Sequence, residues 1–393
     1  MKTLLKHAKI FGGETADILV EDGIITGIGS FEQADEIHDM SGYASVLPGV
    51  IDAHMHIVTG DIEYNDRALK SWAQAGVTTV RDLGMGNDKN DHPTQEFLRY
   101  RGTIETPECA HCLTAGRFVA EYHGLNHVMS DGAETGYGCK TPEDAAKAVN
   151  ELIDMGCEGI KTSVGRGMDG KSTVLSVEKL KAIVDTAKAR NVWVTCHVLD
   201  ADLIPRLLEA GMPEFAHMPT DHVPDELLKR MVEQGVTCTP TLMSINAPRP
   251  PMPKGAKPPK MPPMPKDMPP MPDPKEQEDI CVDNVRRFVK LGGVVAVGTD
   301  TMRMESQPHV AAMPVRELQL LHKAGLTVEQ VIDAATITAA KLCRIDDQVG
   351  SIAVGKKANL IAVKDAVDET FEALSHVEFV MNRGTVIKQE TMI

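Results

Sequence analysis

No stretch of about 20 consecutive apolar residues occurs in the 393-residue chain, so no segment reads as a helix able to span a bilayer. The opening residues, Met1 to His7, hold no apolar run of signal-peptide length, and the expected compartment is the cytoplasm. Positive charge is in deficit: 41 Lys and Arg stand against 56 Asp and Glu, a net charge of −15. So acidic a surface is repelled by nucleic acid and by anionic membranes, which leaves a small molecule as the expected partner. Paired cysteine motifs are missing too. The eight cysteines are scattered singly except Cys109 and Cys112, and no second C-x-x-C or H-x-x-x-H run completes four zinc ligands, so reduced thiols in buried strands are expected.

What is present is a globular composition, 42% hydrophobic and 25% charged, on a chain long enough for one barrel and a smaller appendage. Residues 1–47 carry short alternating runs joined by Asp-Gly turn chemistry, as in 17–29, and residues 346–393 repeat that style. Between them, eight β-rich runs alternate with stretches of helical period: 49–57, 77–82, 110–115, 159–164, 192–197, 214–217, 236–241 and 294–299. Amphipathic segments intervene, among them 141–155, 176–190 and 225–234. The expected fold is α/β: a (β/α)₈ TIM barrel over 48–345, with a small β-sandwich domain built from both termini, 1–47 and 346–393. One segment breaks the rhythm. From 248 to 274 the chain holds 13 Pro and five Met, which excludes helix and central strand. It follows the seventh run, so a polyproline-rich flap or a plain loop at the C-terminal face of the barrel is expected.

His54-Met-His56 closes the first run, where residues two apart point to one side and two imidazoles can share one metal. Alone this is weak, because 14 His in 393 positions give roughly half an H-x-H by chance. Position strengthens it: His197 closes the fifth run, His217 closes the sixth and Asp300 follows the eighth, and strand ends of a barrel converge on one pocket. Each has an ordinary alternative, a satisfied polar histidine or an N-cap aspartate, but four strands agree. Lys161, at the end of the fourth run, reads either as half of an ion pair or as an amine whose charge burial near cations suppresses.

Gly49-Val-Ile-Asp-Ala-His54-Met-His56, Gly76-Val-Thr-Thr-Val-Arg-Asp82, Ile160-Lys161, His197, His217 and Thr299-Asp300 together resemble the amidohydrolase superfamily, and the likeness spans nearly the whole chain. The closing run 350–361 looks like that superfamily's return into its β-domain, with Asn359 where Asp is commoner. Lys161 and its spacing to His197 are similar to the Xaa-Pro dipeptidase and imidazolonepropionase-like branch. The resemblance implies that His54, His56 and Asp300 bind one divalent cation and His197 and His217 a second. Lys161, carboxylated by carbon dioxide, would bridge the two. It further implies zinc first, with iron or manganese as alternatives, and a symmetric homo-oligomer. Asp300 would serve as general base and then acid in the hydrolysis of an amide C–N bond in a dipeptide, an N-acyl amino acid or a cyclic amide. His123, Tyr122 and Arg166, with Arg117 and Arg303, lie in loops expected at the same rim, where they could meet substrate. Two rivals stand beside this reading: a mononuclear deaminase or imidazolonepropionase-type hydrolase, and a non-catalytic scaffold barrel whose Pro/Met arm is recognised as polyproline.

Overall fold

A computed structural model describes residues 1–85, 90–122, 124, 136–166, 173–246, 273–302 and 311–390. Apart from Asp273 and Pro274, the Pro/Met-rich segment lies outside the described residues, as do His123 and Arg303. Two compact units emerge: Met1–Asp82 with His92–Thr114 and Val295–Ile393, and Leu83–Asp91 with Ala115–Val294. No helix among the described residues is long and apolar enough to cross a membrane. The eight cysteines are buried, and no disulfide joins them.

The first unit holds three four-stranded sheets. One takes Ile24–Gly29, Thr15–Glu21, Lys2–Lys9 and Glu36–Asp39 in that order, antiparallel except for its last pair. Its two-residue turn is Asp22-Gly23, at φ 47° and 84°, the left-handed pair that a twisted hairpin demands. The second pairs the C-terminal strands Thr385–Gln389, Phe379–Asn382 and Leu360–Val363 with Ser45–Pro48 from the N-terminal part, all antiparallel. Leu5, Ile18, Val20 and Ile25 share one buried cluster with Val46, Leu360, Phe379 and Met381, so both ends of the chain contribute to one core.

The third sheet positions chemistry. It runs Thr301–Met302, Val50–His56, Val77–Asp82, His111–Thr114, and every pairing is parallel. Every residue of Val50–His56 and Val77–Asp82 is buried, the mark of parallel strands covered on both faces. Helix Ile62–Gln74 connects them. Asp61 caps it by accepting from the Glu63 and Tyr64 amides, and Leu69, Trp72 and Ala73 are buried. The last expected run, 294–299, contributes a regular strand only at Val294–Val295. Beyond it the Val297 amide turns aside to the Ala334 carbonyl while its own carbonyl accepts from Ala53, and the chain continues beside the first strand.

The second unit carries a parallel sheet in the order Tyr137–Cys139, Val119–Glu121, Gly159–Ser163, Trp193–His197, Glu214–Phe215, Thr237–Cys238, ending on Val294–Val295, where the chain returns to the first unit. Helix Pro142–Met155 opens on a capping box between Thr141 and Asp144 and stops at Gly156, φ 115°. Helices Val177–Ala189, Asp225–Glu233 and Pro274–Lys290 follow.

Three details differ from the expected elements. Among the described residues, strand pairing forms two open parallel sheets and not one closed eight-membered ring. The run 236–241 shrinks to Thr237–Cys238, because Pro240 has no amide to continue a ladder. The three-residue strands Val119–Glu121 and Tyr137–Cys139 were not expected, being too short to show a period.

Gly159 is fixed by close approach: a Cβ there would lie 2.0 Å from the Trp193 indole on the neighbouring strand. Gly159→Ala should therefore lower the free energy of unfolding by about 1–3 kcal/mol, the usual cost of overpacking. Gly102→Ala, on a helix facing open space, should match or exceed the parent protein. Chemical denaturation reads both, and equal midpoints for parent and Gly159→Ala would contradict this packing.

Candidate metal centre

Three potential ligands meet in the first unit. Asp52, His54 and His56 alternate along one strand and so share a side of it, and the imidazoles of His54 and His56 bring their Nε2 atoms to 3.2 Å. Asp300 Oδ1 lies 3.4 Å from His54 Nε2 and 3.1 Å from His56 Nε2. Ligand atoms each about 2.1 Å from an ion in tetrahedral array stand roughly 3.4 Å apart, so this triangle fits one divalent cation. Asp300 is 25% exposed, whereas His54 is closed to solvent.

Backbone and buried polar groups hold the triangle. The Asp300 amide donates to the His54 carbonyl at 2.8 Å, and Asp300 adopts φ 58°, a left-handed conformation that non-glycine residues adopt at a cost. Asp52, which sequence reasoning passed over, links the two segments. Its Oδ1 accepts from the His54 and Thr299 amides, each at 3.1 Å, and its Oδ2 accepts from the Thr299 hydroxyl at 2.7 Å. Burial pushes the Asp52 carboxyl up to about 7, against the opposing pull of the Thr299 hydroxyl and the two amides. Its signal was available: it is a charged residue in an otherwise buried strand, at the same parity as the two histidines. Asp82 was likewise missed. One of its oxygens accepts from the Ile57 and Val58 amides at 2.8 and 2.9 Å and the other from the Thr114 hydroxyl at 2.9 Å, fixing the chain as it leaves His56.

The second unit holds Lys161, His197 and His217. Lys161 is fully buried on Gly159–Ser163, its ammonium nitrogen 5.7 Å from the Phe118 ring centre. His197 ends the adjacent strand, and His217, expected to close the run 214–217, lies two residues beyond the strand Glu214–Phe215. The two rings stand edge to face with centres 4.6 Å apart. His217 Nδ1 pairs with the Thr241 hydroxyl at 2.7 Å, the kind of partner that fixes the tautomer of a ligating imidazole. Thr241 sits at φ 50°, an outlier for a β-branched residue.

The described residues expected at the rim have partners within the protein. Arg166 makes a bidentate pair with Asp202, 2.9 and 2.7 Å, so the fork that could grip a substrate carboxylate already holds one. The Lys140 ammonium lies 4.1 Å above the Tyr122 ring, and Arg117 stacks on Tyr137 at 4.4 Å.

A family model described as "Amidohydrolase family" matches residues 45–389. An imidazolonepropionase of Brevibacillus brevis (strain 47) is 26% identical over 408 residues, covering 96% of this chain and 91% of the relative. An uncharacterised protein of Mycobacterium tuberculosis (strain H37Rv) is 26% identical over 208 residues, and the chain spans about half of that relative, 51%. The crystal structure of a Xaa-Pro dipeptidase with bound methionine in the active site matches with a TM-score of 0.77 at 22% identity, over 99% of this chain and 100% of that one, which shows a shared fold. An α/β barrel is what that likeness implies.

Asp52 generates a pH signature in chelator-treated protein. With its carboxyl pushed up to about 7 from the ordinary aspartate value of 3.8, the folded state holds the proton more tightly than the unfolded chain. This stabilisation is complete below the lower value and disappears as pH rises through the upper one. Relative to Asp52→Asn, the parent protein should lose stability between roughly pH 4 and 7 and then level off. Urea midpoints across that range check this, and a pH-independent difference would contradict it.

Proposed function

The match over residues 45–389 makes the chain a member of the amidohydrolase family, and from that premise we propose that it is a metal-dependent hydrolase cleaving an amide carbon–nitrogen bond in a dipeptide, an N-acyl amino acid or a cyclic amide. The observation that carries the proposal is the convergence of His54 Nε2, His56 Nε2 and Asp300 Oδ1 within 3.1–3.4 Å of one another. In this reading they hold one divalent cation, zinc before iron or manganese. His197 and His217 would hold a second, with Lys161, as its carbamate, on the strand beside His197.

A cation at such a centre supplies Lewis acidity that acidifies water and polarises a carbonyl oxygen. The side chains do the rest. Asp300, the most accessible member of its trio, would take a proton from the attacking water on its carboxylate and return it to the leaving nitrogen. Asp52 and Thr299 keep Asp300 in register with His54, while Thr241 holds His217. Tyr122, His123 and Arg166 contact substrate, and Arg166 does so by exchanging Asp202 for a substrate carboxylate.

A one-cation centre is the second reading, favoured by the likeness to imidazolonepropionase along 96% of the chain. Metal analysis separates the two: two equivalents support the first, and one equivalent undiminished by Lys161→Ala supports the second. Reaction class is tested by incubating metal-loaded protein with Xaa-Pro dipeptides, N-acyl amino acids and cyclic amides. Chelation should abolish amide hydrolysis and added metal should restore it. Asp300→Asn should lower kcat by about 10²–10⁴-fold. Chelator-resistant hydrolysis, or full activity of Asp300→Asn, would contradict the proposal.

A further inference from the structure

Thr195 is fully buried in the strand Trp193–His197, and its hydroxyl has no hydrogen-bond partner among the described residues. Buried hydroxyls are almost always bonded, and leaving one unbonded costs about 1–3 kcal/mol. Its position is specific. Thr195 is the parallel-ladder partner of Lys161, just as His197 is the partner of Ser163. Residues in register on neighbouring strands stand roughly 4.8 Å apart and point to the same face, so Lys161, Thr195 and His197 share one face of the sheet.

We propose that the Thr195 hydroxyl is the hydrogen-bond donor that retains a carbamate on Lys161. The inference rests on the reading of Lys161 given above and adds a positioning residue to it. In the step concerned, the lone pair of neutral Lys161 Nζ forms a bond to the carbon of carbon dioxide. One C=O π pair moves onto oxygen, and the proton lost from nitrogen passes to buffer. The product is an anion with two acceptor oxygens. The orphaned hydroxyl then gains a charged acceptor, the stronger kind of hydrogen bond.

The test compares the parent protein with Thr195→Val, which keeps the shape and removes the donor, and with Thr195→Ser, which keeps the donor. Each is loaded with zinc and titrated with ¹³C-labelled bicarbonate. The lysine carbamate is read by ¹³C NMR and stability by thermal unfolding. Without carbon dioxide, Thr195→Val should unfold at or above the parent temperature, since it removes a buried unbonded hydroxyl. With bicarbonate, the parent and Thr195→Ser should show the carbamate signal and a rise in Tm, while Thr195→Val should need roughly tenfold more bicarbonate for either, the worth of one hydrogen bond to a charged group. Equal half-saturation in parent and Thr195→Val, or a Thr195→Ser that behaves like Thr195→Val, overturns the role of Thr195 alone. Absence of any carbamate from the parent protein overturns the reading of Lys161 itself, and the inference with it.

Discussion

The first unit is organised around bringing a carboxylate to two imidazoles from the far side of the sequence. His54 and His56 sit at the end of one buried strand, and Asp300 arrives almost 250 residues later on a segment laid beside that strand. Three backbone links fix the approach: the Ala53 amide to the Val297 carbonyl, the Asp300 amide to the His54 carbonyl, and the pairing of Thr301 with Met55. Without them, two buried imidazoles and a carboxylate would be polar groups removed from water with little return. With them, three ligand atoms meet at the spacing a small cation requires, and the left-handed Asp300 is the local cost of aiming its side chain there.

Around that point lies a frame of buried polar groups that carry no charge to substrate. Asp52 ties the two ligand-bearing segments together, and Asp82 gathers the backbone beyond His56 with the hydroxyl of the next strand. The second unit uses a hydroxyl in the same way, Thr241 beside His217. Partners of this sort orient ligands more than they stabilise the fold, and losing one costs metal affinity or activity by roughly 10–100-fold.

How much of this could be read in advance depended on whether the determining interactions were local. The helical stretches 141–155 and 176–190 were legible because their apolar period is local, and Thr141 and Ser176 cap them by accepting from amides three residues on. The histidine pair stood out because everything around it in the strand is apolar except Asp52, and that aspartate was overlooked although it shares their parity. The seventh and eighth runs were read too long, since Pro240 and the turning aside of Val297 decide where a ladder stops. The engagement of Arg166 by Asp202, 36 positions away, has no trace in local pattern. Burial of the Thr195 hydroxyl without a partner is a tertiary property and lay outside the reach of sequence altogether.

The central claim is that His54, His56 and Asp300 cage a divalent cation. Anomalous diffraction from zinc-loaded crystals, collected on either side of the zinc edge, tests it most directly. The account predicts a peak bonded at about 2.0–2.2 Å to both Nε2 atoms and to an Asp300 oxygen. A zinc-loaded crystal with no anomalous density among these three side chains would contradict it.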